Sequence, residues 1–252
     1  MFYGEPASPP QWSGAGFLAW CRAGRGMKVV VLQPSFLPWL GHLDQYAWAD
    51  RFVIYDDVQF DKHGWRNRNR ILTSQGVAWL SVPVKVKDAP LINQVEVDYA
   101  QPWRRKHLES LRQAYSKAAH FDWFYPQVQE YYSHDWKRLL DWDVEGLKWL
   151  TSSLGLPWTG VLSSELDVPG QKTERLIGIC RKLGATRYLT GDAARDYLDE
   201  SQFQQIGVEV VWHGYAHPLY PQRSKEFVSH LSIVDLMFNC GPDSLAILRK
   251  SL

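Results

Sequence analysis

The sequence predicts an α/β fold: a parallel sheet flanked by helices, with a helical insertion in the middle. Two observations carry this. Apolar, β-branched runs such as "MKVVVL" from Met27 and "VEVVW" from Val208 show no polar alternation, which marks strands buried on both faces, as in a parallel sheet. Strand, helix and strand also follow one another from Met27 to Val58, the length and order of a βαβ unit, whose crossover is right-handed.

The elements follow in order. "MKVVVLQP" is a strand ended by Gln33 and Pro34. Pro38 suits the first turn of a helix, and Leu40, Leu43, Ala47 and Trp48 then recur at helical spacing. A second strand, "RFVIYDDV", spans Arg51–Val58, and a third, "VAWLSVPVKV", spans Val77–Val86. Residues 103–157 read as two or three helices with a break at "HFDWFYP". "TGVLSSEL" reads as another strand. Lys172–Leu183 is a helix capped by Thr173, striped by Leu176, Ile177, Cys180 and Leu183, and ended by Gly184. "RYLTG" is a short strand. Ser201 and Gln204 fit a capping box before a short helix closed by Gly207. "VEVVWH" is the last strand, and the tail from Ser232 is helical with an interruption at "NCGPD".

Bulk properties narrow the function. A chain of 252 residues with a formal net charge of +1 carries no field that would draw it to nucleic acid or to an anionic membrane. Its three cysteines, Cys21, Cys180 and Cys240, form no metal-binding spacing, so a reducing, cytoplasmic setting is expected. No apolar run approaches a membrane span. Residues 1–26, rich in Gly, Pro, Ser and Ala, read as a disordered extension or a start codon set upstream of Met27, leaving 27–252 as a single domain. The 13 tryptophans suit stacking on sugar rings, although most belong to a core.

In a sheet of this kind ligands lie beyond the carboxyl ends of the strands, near the point where strand order reverses. That rule selects Gln33 and Ser35, then Asp56, Asp57 and Gln59, then Thr190, Gly191 and Asp192, and finally His213. Asp56 and Asp57 point to opposite faces if the strand continues through them. One then faces the cleft and the other pairs with a nearby basic residue; the alternatives are a charged strand end salt-bridged to its own loop, or one Asp that holds a substrate hydroxyl, an amine or a divalent cation. The stretch "KHGWRNRNRI" brings Lys62, His63, Arg66, Arg68 and Arg70, with Asn67 and Asn69 between the arginines. Guanidinium forks suit phosphate or carboxylate, and the alternative is a solvated loop. Trp39 and Trp65 offer stacking faces. "GHLD" at a helix start resembles the HIGH-type nucleotidyltransferases, in which a histidine near a helix N-terminus meets nucleotide phosphate; here that residue is His42. No zinc spacing, P-loop or G-x-S-x-G is present.

Five motifs in order, "LQPSFLPWLGHLDQY", "FVIYDDVQFDKHGWRNRNRIL", "YLTGDAARDYL", "YPQ" and "LSIVDLMFNCGP", resemble the WbqC-like proteins from about Met27 to the C-terminal helix. Many members carry an aromatic where this chain has His42. The alternation of strands and helices, with "GHLD", makes the expected sheet Rossmann-like or nucleotidyltransferase-like (HUP-like). The resemblance implies a cytoplasmic transferase associated with O-antigen and related lipopolysaccharide synthesis, passing an acyl or glycyl group to a nucleotide-linked amino sugar. Asp56, Asp57 and His42 are then the catalytic candidates. The substrate-binding candidates are Gln33, Trp39, Gln59, Lys62, Trp65, Arg66, Asn67, Arg68, Arg70, Thr190, Gly191, Asp192, Tyr220 and Gln222. The expected partners are a nucleotide-sugar, an activated acyl donor and a glycosyltransferase. Two other readings stand beside this one: an ATP- and magnesium-dependent ligase or nucleotidyltransferase, and a non-catalytic sugar-nucleotide carrier.

Overall fold

The computed structural model describes residues 26–62, 64–196 and 198–249. The expectation for residues 1–26 therefore lies outside the described residues except at Gly26, as does His63 of the charged stretch. The central sheet has five strands, β1 (Met27–Leu32), β2 (Arg51–Ile54), β7 (Gly160–Leu162), β8 (Ala185–Thr190) and β9 (Glu209–Trp212). Their order is β7-β2-β1-β8-β9 and every pair is parallel. Val30 of β1 faces Phe52 on one side and Leu189 on the other. The strand order reverses between β1 and β8, so the switch point lies at the exit of β1.

The side-chain alternation of β1 explains why it reads as continuously apolar. Val30 points into one core with Phe52, Ile54 and Leu189, while Val29 and Val31 point into another with Val53 and Tyr188. Both faces are covered. On the first lie α1 (Leu40–Trp48), α2 (Trp103–Tyr115), α3 (Phe121–Ser133), α4 (Leu139–Ser153), α7 (Ile233–Cys240) and α8 (Ser244–Leu248); on the second lie α5 (Lys172–Leu183) and α6 (Glu200–Gln204). The long crossover from β2 to β7 contains the helical insertion together with two small antiparallel pairs, β3 (Arg68–Thr73) with β4 (Gly76–Ser81) and β5 (Val84–Lys85) with β6 (Glu96–Val97). Among the described residues, no helix is long and apolar enough to cross a membrane.

Several expectations change. The strand from Arg51 stops at Ile54 rather than Val58. "VAWLSVPVKV" is no strand of the main sheet; it divides into β4 and β5. The partner of β4 is the charged stretch itself, Arg70 facing Trp79 and Ile71 facing Ala78, so "RNRILT" is a strand rather than a loop. Its buried Asn69 and Ile71 give it an inward face that its charge conceals. The break expected at "HFDWFYP" falls earlier, at Ser116–His120, and α3 runs through Pro126. Burial of Phe124, Val128, Tyr131 and Tyr132 offsets the lost backbone bond. Thr173 does not cap α5, whose N-cap is Gln171. Asp199, accepting from the Ser201 N–H at 3.0 Å, replaces the capping box at α6. Gly184 does end α5, in the left-handed region at φ 65°.

Candidate functional site

The loop from β1 to α1 forms the centre of the rim, and three distant segments strap it down. Its Leu37 is a non-glycine residue at φ 42°, a conformation that persists only where the surroundings impose it. Asn69 Nδ2 donates to the carbonyls of Phe36 (3.2 Å) and Leu37 (2.8 Å). Ser232 Oγ donates to Leu37 O at 2.7 Å. The Trp65 carbonyl accepts from Phe36 N–H and Ser35 Oγ, both at 3.2 Å. Asn67 likewise donates to Val82 O at 2.9 Å. The two asparagines between the arginines are buried, and their amide nitrogens fasten backbone. Gly41 is needed because a Cβ there would lie 2.2 Å from the Trp39 ring.

Asp56 and Asp57 lie beyond the end of β2, so the alternation of a strand does not separate them. Both reach Ser163 Oγ, at 3.0 and 2.5 Å. Asp56 is fully buried and also accepts from Ser164 N–H, Ser164 Oγ and Asn93 Nδ2; it ties β2 to the turn Ser163–Glu165 after β7. Asp57 pairs with Arg175 of α5. Burial pushes its carboxyl up, but hydrogen bonds from Arg175 and Ser163 outweigh that and hold it below the usual carboxylate range. Of the two alternatives for these residues, pairing with a nearby basic group is the one Asp57 adopts.

Arg68 and Arg70 project from the same face of β3, two residues apart. The Arg68 guanidinium lies 4.5 Å from the Trp79 ring centre and that of Arg70 lies 5.5 Å from Trp65. Trp65 and Trp79 touch at 5.4 Å and are 37% and 47% exposed, so the hairpin presents a shelf of two indoles and two guanidiniums to solvent. Arg70 Nη2 donates to His230 O at 2.8 Å.

From His230 an unbroken run of ring contacts leads back to the sheet. His230 stacks on Trp39 (5.3 Å), Trp39 meets Tyr215 edge-on (5.1 Å), and Tyr215 stacks on His213 (5.2 Å). His213, at the end of β9, places Nε2 2.6 Å from Asp44 Oδ2 of α1. Both side chains are almost wholly enclosed. Nε2 is thus the ring nitrogen engaged by the carboxylate, and Nδ1 is the one that Asp44 does not engage. His213 N–H in turn donates to Thr190 O at 2.9 Å, which sets the ends of β8 and β9 side by side.

The other candidates sit elsewhere. His42 is 6% exposed, packed against Phe52 beneath the loop, and burial together with Arg66 drives its pKa down to about 3. Gln33 Oε1 is buried at the rim and has no hydrogen-bond partner among the described residues. Gln59 and Lys62 are exposed. Gly191 precedes the turn Asp192–Ala194, and Asp192 pairs with Arg195 at 2.9 Å. Tyr220 and Gln222 hydrogen-bond to buried Asp235, at 2.9 and 3.0 Å, and anchor the segment before α7. Among the described residues, no group of three or more His, Cys, Asp or Glu is placed to hold a metal ion.

Sequence reasoning passed over Asp44, Trp79 and Asp143. Asp44 stands four residues after Leu40, and Asp143 stands between Leu139 and Leu147 at the same spacing. A carboxylate inside an apolar helical stripe was the available signal.

Comparison with known proteins agrees with the motif order. The sequence model of the WbqC-like protein family matches residues 33–247. An uncharacterised protein of Mycobacterium tuberculosis is 38% identical over 229 residues, covering 88% of this chain and 97% of the relative. No solved structure matches the chain.

Proposed function

The chain belongs to the WbqC-like protein family, and from that premise we propose a transferase of bacterial surface-polysaccharide synthesis that moves an acyl or glycyl group onto the amine of a nucleotide-linked amino sugar. One observation carries the reading: the His213–Asp44 pair stands at the switch point, joined by aromatic rings to the Arg68–Arg70 shelf. The shelf suits a diphosphate, the rings of Trp39 and Tyr215 suit a sugar, and His213 Nδ1 suits an amine. In the step itself the amine nitrogen attacks the donor carbonyl and a C–N bond forms. The bond from the carbonyl carbon to the donor's leaving group breaks, and that group departs with its electron pair. His213 takes the proton released from nitrogen, while Asp44 holds its ring in the correct tautomer.

The test incubates pure protein with a 4-amino-sugar nucleotide and a panel of glycyl and acyl donors, followed by mass spectrometry. The expected result is a sugar heavier by one acyl group, with turnover lost in His213→Ala. Binding of the sugar nucleotide with no mass gain from any donor overturns the transferase reading and leaves a carrier.

A further inference from the structure

A cleft of about 730 Å³ opens between the turn of the β3–β4 hairpin, the end of α2, the segment 223–226 and α7. It shares no lining residue with the rim or the arginine shelf. Its volume falls in the range of small-molecule sites, roughly 300–1,000 Å³. Its floor is a fixed polar layer. The Tyr115 hydroxyl accepts from the Leu72 N–H at 3.2 Å and donates to Asp235 Oδ1 at 2.8 Å, so one enclosed side chain joins β3, α2 and α7. Tyr220 and Gln222, which lead into the segment 223–226, donate to the same carboxylate. Arg223 Nη1 donates to Ala114 O at 3.3 Å and straps that segment to the end of α2.

The walls carry charge. Lys117, Arg223 and Lys225 line the cleft, and the carboxylate beside them is Glu226. Asp235 is already committed to Tyr115, Tyr220 and Gln222. Among the described residues, none of the three cations forms an ion pair, and the hydroxyls of Ser74, Ser116 and Ser224 make no hydrogen bond. In a chain of formal net charge +1, such a group of cations is a local feature. Cations with hydroxyl donors suit a phosphate, and a carboxylate suits the hydroxyls of a sugar. Three cations against Glu226 leave two positive charges, which a phosphate monoester at about −1.5 to −2 matches more closely than a sugar carboxylate does. The cleft is also distant from the shelf. Arg68 pairs with Ser81 at the open end of the hairpin and Thr73 with Gly76 at its turn, so Thr73 lies about 17 Å from Arg68 along β3.

We propose that this cleft is a second binding site, for a sugar bearing a phosphate monoester, with Lys117, Arg223 and Lys225 on the phosphate and Glu226 on the ring hydroxyls. The site stands apart from the proposed function, since it needs neither the His213–Asp44 pair nor the shelf.

Calorimetry on the full chain tests it, with glucose 1-phosphate, inorganic phosphate and glucose as probes and with urea unfolding of every variant. Glucose 1-phosphate is expected to bind at one site, more tightly than inorganic phosphate and far more tightly than glucose. Lys117→Ala and Lys225→Ala, both at exposed positions, are expected to keep the fold and to weaken glucose 1-phosphate about tenfold each. Arg68→Ala is expected to leave that binding unchanged. Wild-type protein that does not bind glucose 1-phosphate at millimolar concentration overturns the inference. So does binding that Arg68→Ala removes and the lysine changes spare, which moves the phosphate to the shelf. Inorganic phosphate or glucose that binds as tightly as glucose 1-phosphate overturns the assignment of a sugar phosphate.

Discussion

His213 Nε2 and Asp44 Oδ2 lie 2.6 Å apart, which ties the end of β9 to the helix that follows β1 and spans the place where strand order reverses. A histidine held in this way keeps one nitrogen for its carboxylate and one for chemistry. His213→Ala is expected to lower turnover by about 10²–10⁴-fold, the usual worth of a positioned general base. Asp44→Asn is expected to lower kcat more than it raises KM, since it disturbs the tautomer and not the sugar's binding surface. Rates from the mass assay, with circular dichroism to confirm the fold, check both.

The shelf on the β3–β4 hairpin predicts a salt-sensitive anion site. Arg68→Ala is expected to cost about 1.5–3 kcal/mol in UDP binding, as for hydrogen bonds to a charged group. Trp79→Ala, which removes the ring under Arg68, is expected to cost about 0.5–1 kcal/mol. Calorimetry at low and at high salt checks this, with wild-type affinity falling as salt rises. Affinity independent of both arginine and salt would place the ligand elsewhere.

Acid stability follows from two buried histidines. Burial lowers the pKa of His42 to about 3 and that of His107 to about 4. Between those values and about 6.5 the unfolded chain binds protons that the folded chain refuses, so each histidine's contribution is complete above 6.5 and is lost as pH falls. Asp143 and Asp235, whose carboxyls burial raises, act in the opposite sense over part of that range. A difference measurement isolates the histidine. His107→Gln is expected to lower the slope of stability against pH by about 1.2 kcal/mol per pH unit between pH 6 and 5, read from urea unfolding at each pH.

Against the upward push of burial, Asp57 is held below the usual carboxylate range by its hydrogen bonds from Arg175 and Ser163. Its folded pKa lies below the unfolded value, so the stabilisation it provides is present above about pH 4 and disappears as pH falls through the folded value. Arg175→Ala is expected to destabilise the protein at pH 7 and to have a smaller effect at the lowest pH where the fold persists.

The network around Asp235 is a stability device. Its carboxylate accepts from Tyr115 (2.8 Å), Tyr220 (2.9 Å) and Gln222 (3.0 Å). Asp235→Ala strands these donors and is expected to cost about 3–5 kcal/mol, whereas Tyr220→Phe is expected to cost about 1–2 kcal/mol. Urea midpoints check the order of the two.

What the sequence determined by itself was the sheet and its rim. Aliphatic runs with no polar alternation mark doubly buried strands wherever they occur, because helices must cover both faces. The carboxyl-end rule then reached Gln33, Asp56, Thr190 and His213 without coordinates. Roles were another matter, since they depend on which partner lies across space. Asp56 is consumed by Ser163, Ser164 and Asn93, and Asp57 by Ser163 and Arg175. Asn67 and Asn69 clamp backbone, and Tyr220 and Gln222 serve Asp235. Each donor lies 13 or more residues from its acceptor along the chain, beyond any local pattern. Asp44 became a candidate only when the fold carried His213 to within 2.6 Å of it across 169 residues. Local sequence records propensity and periodicity; the pairing of buried charge is a tertiary event, settled by which side chains the sheet order brings together.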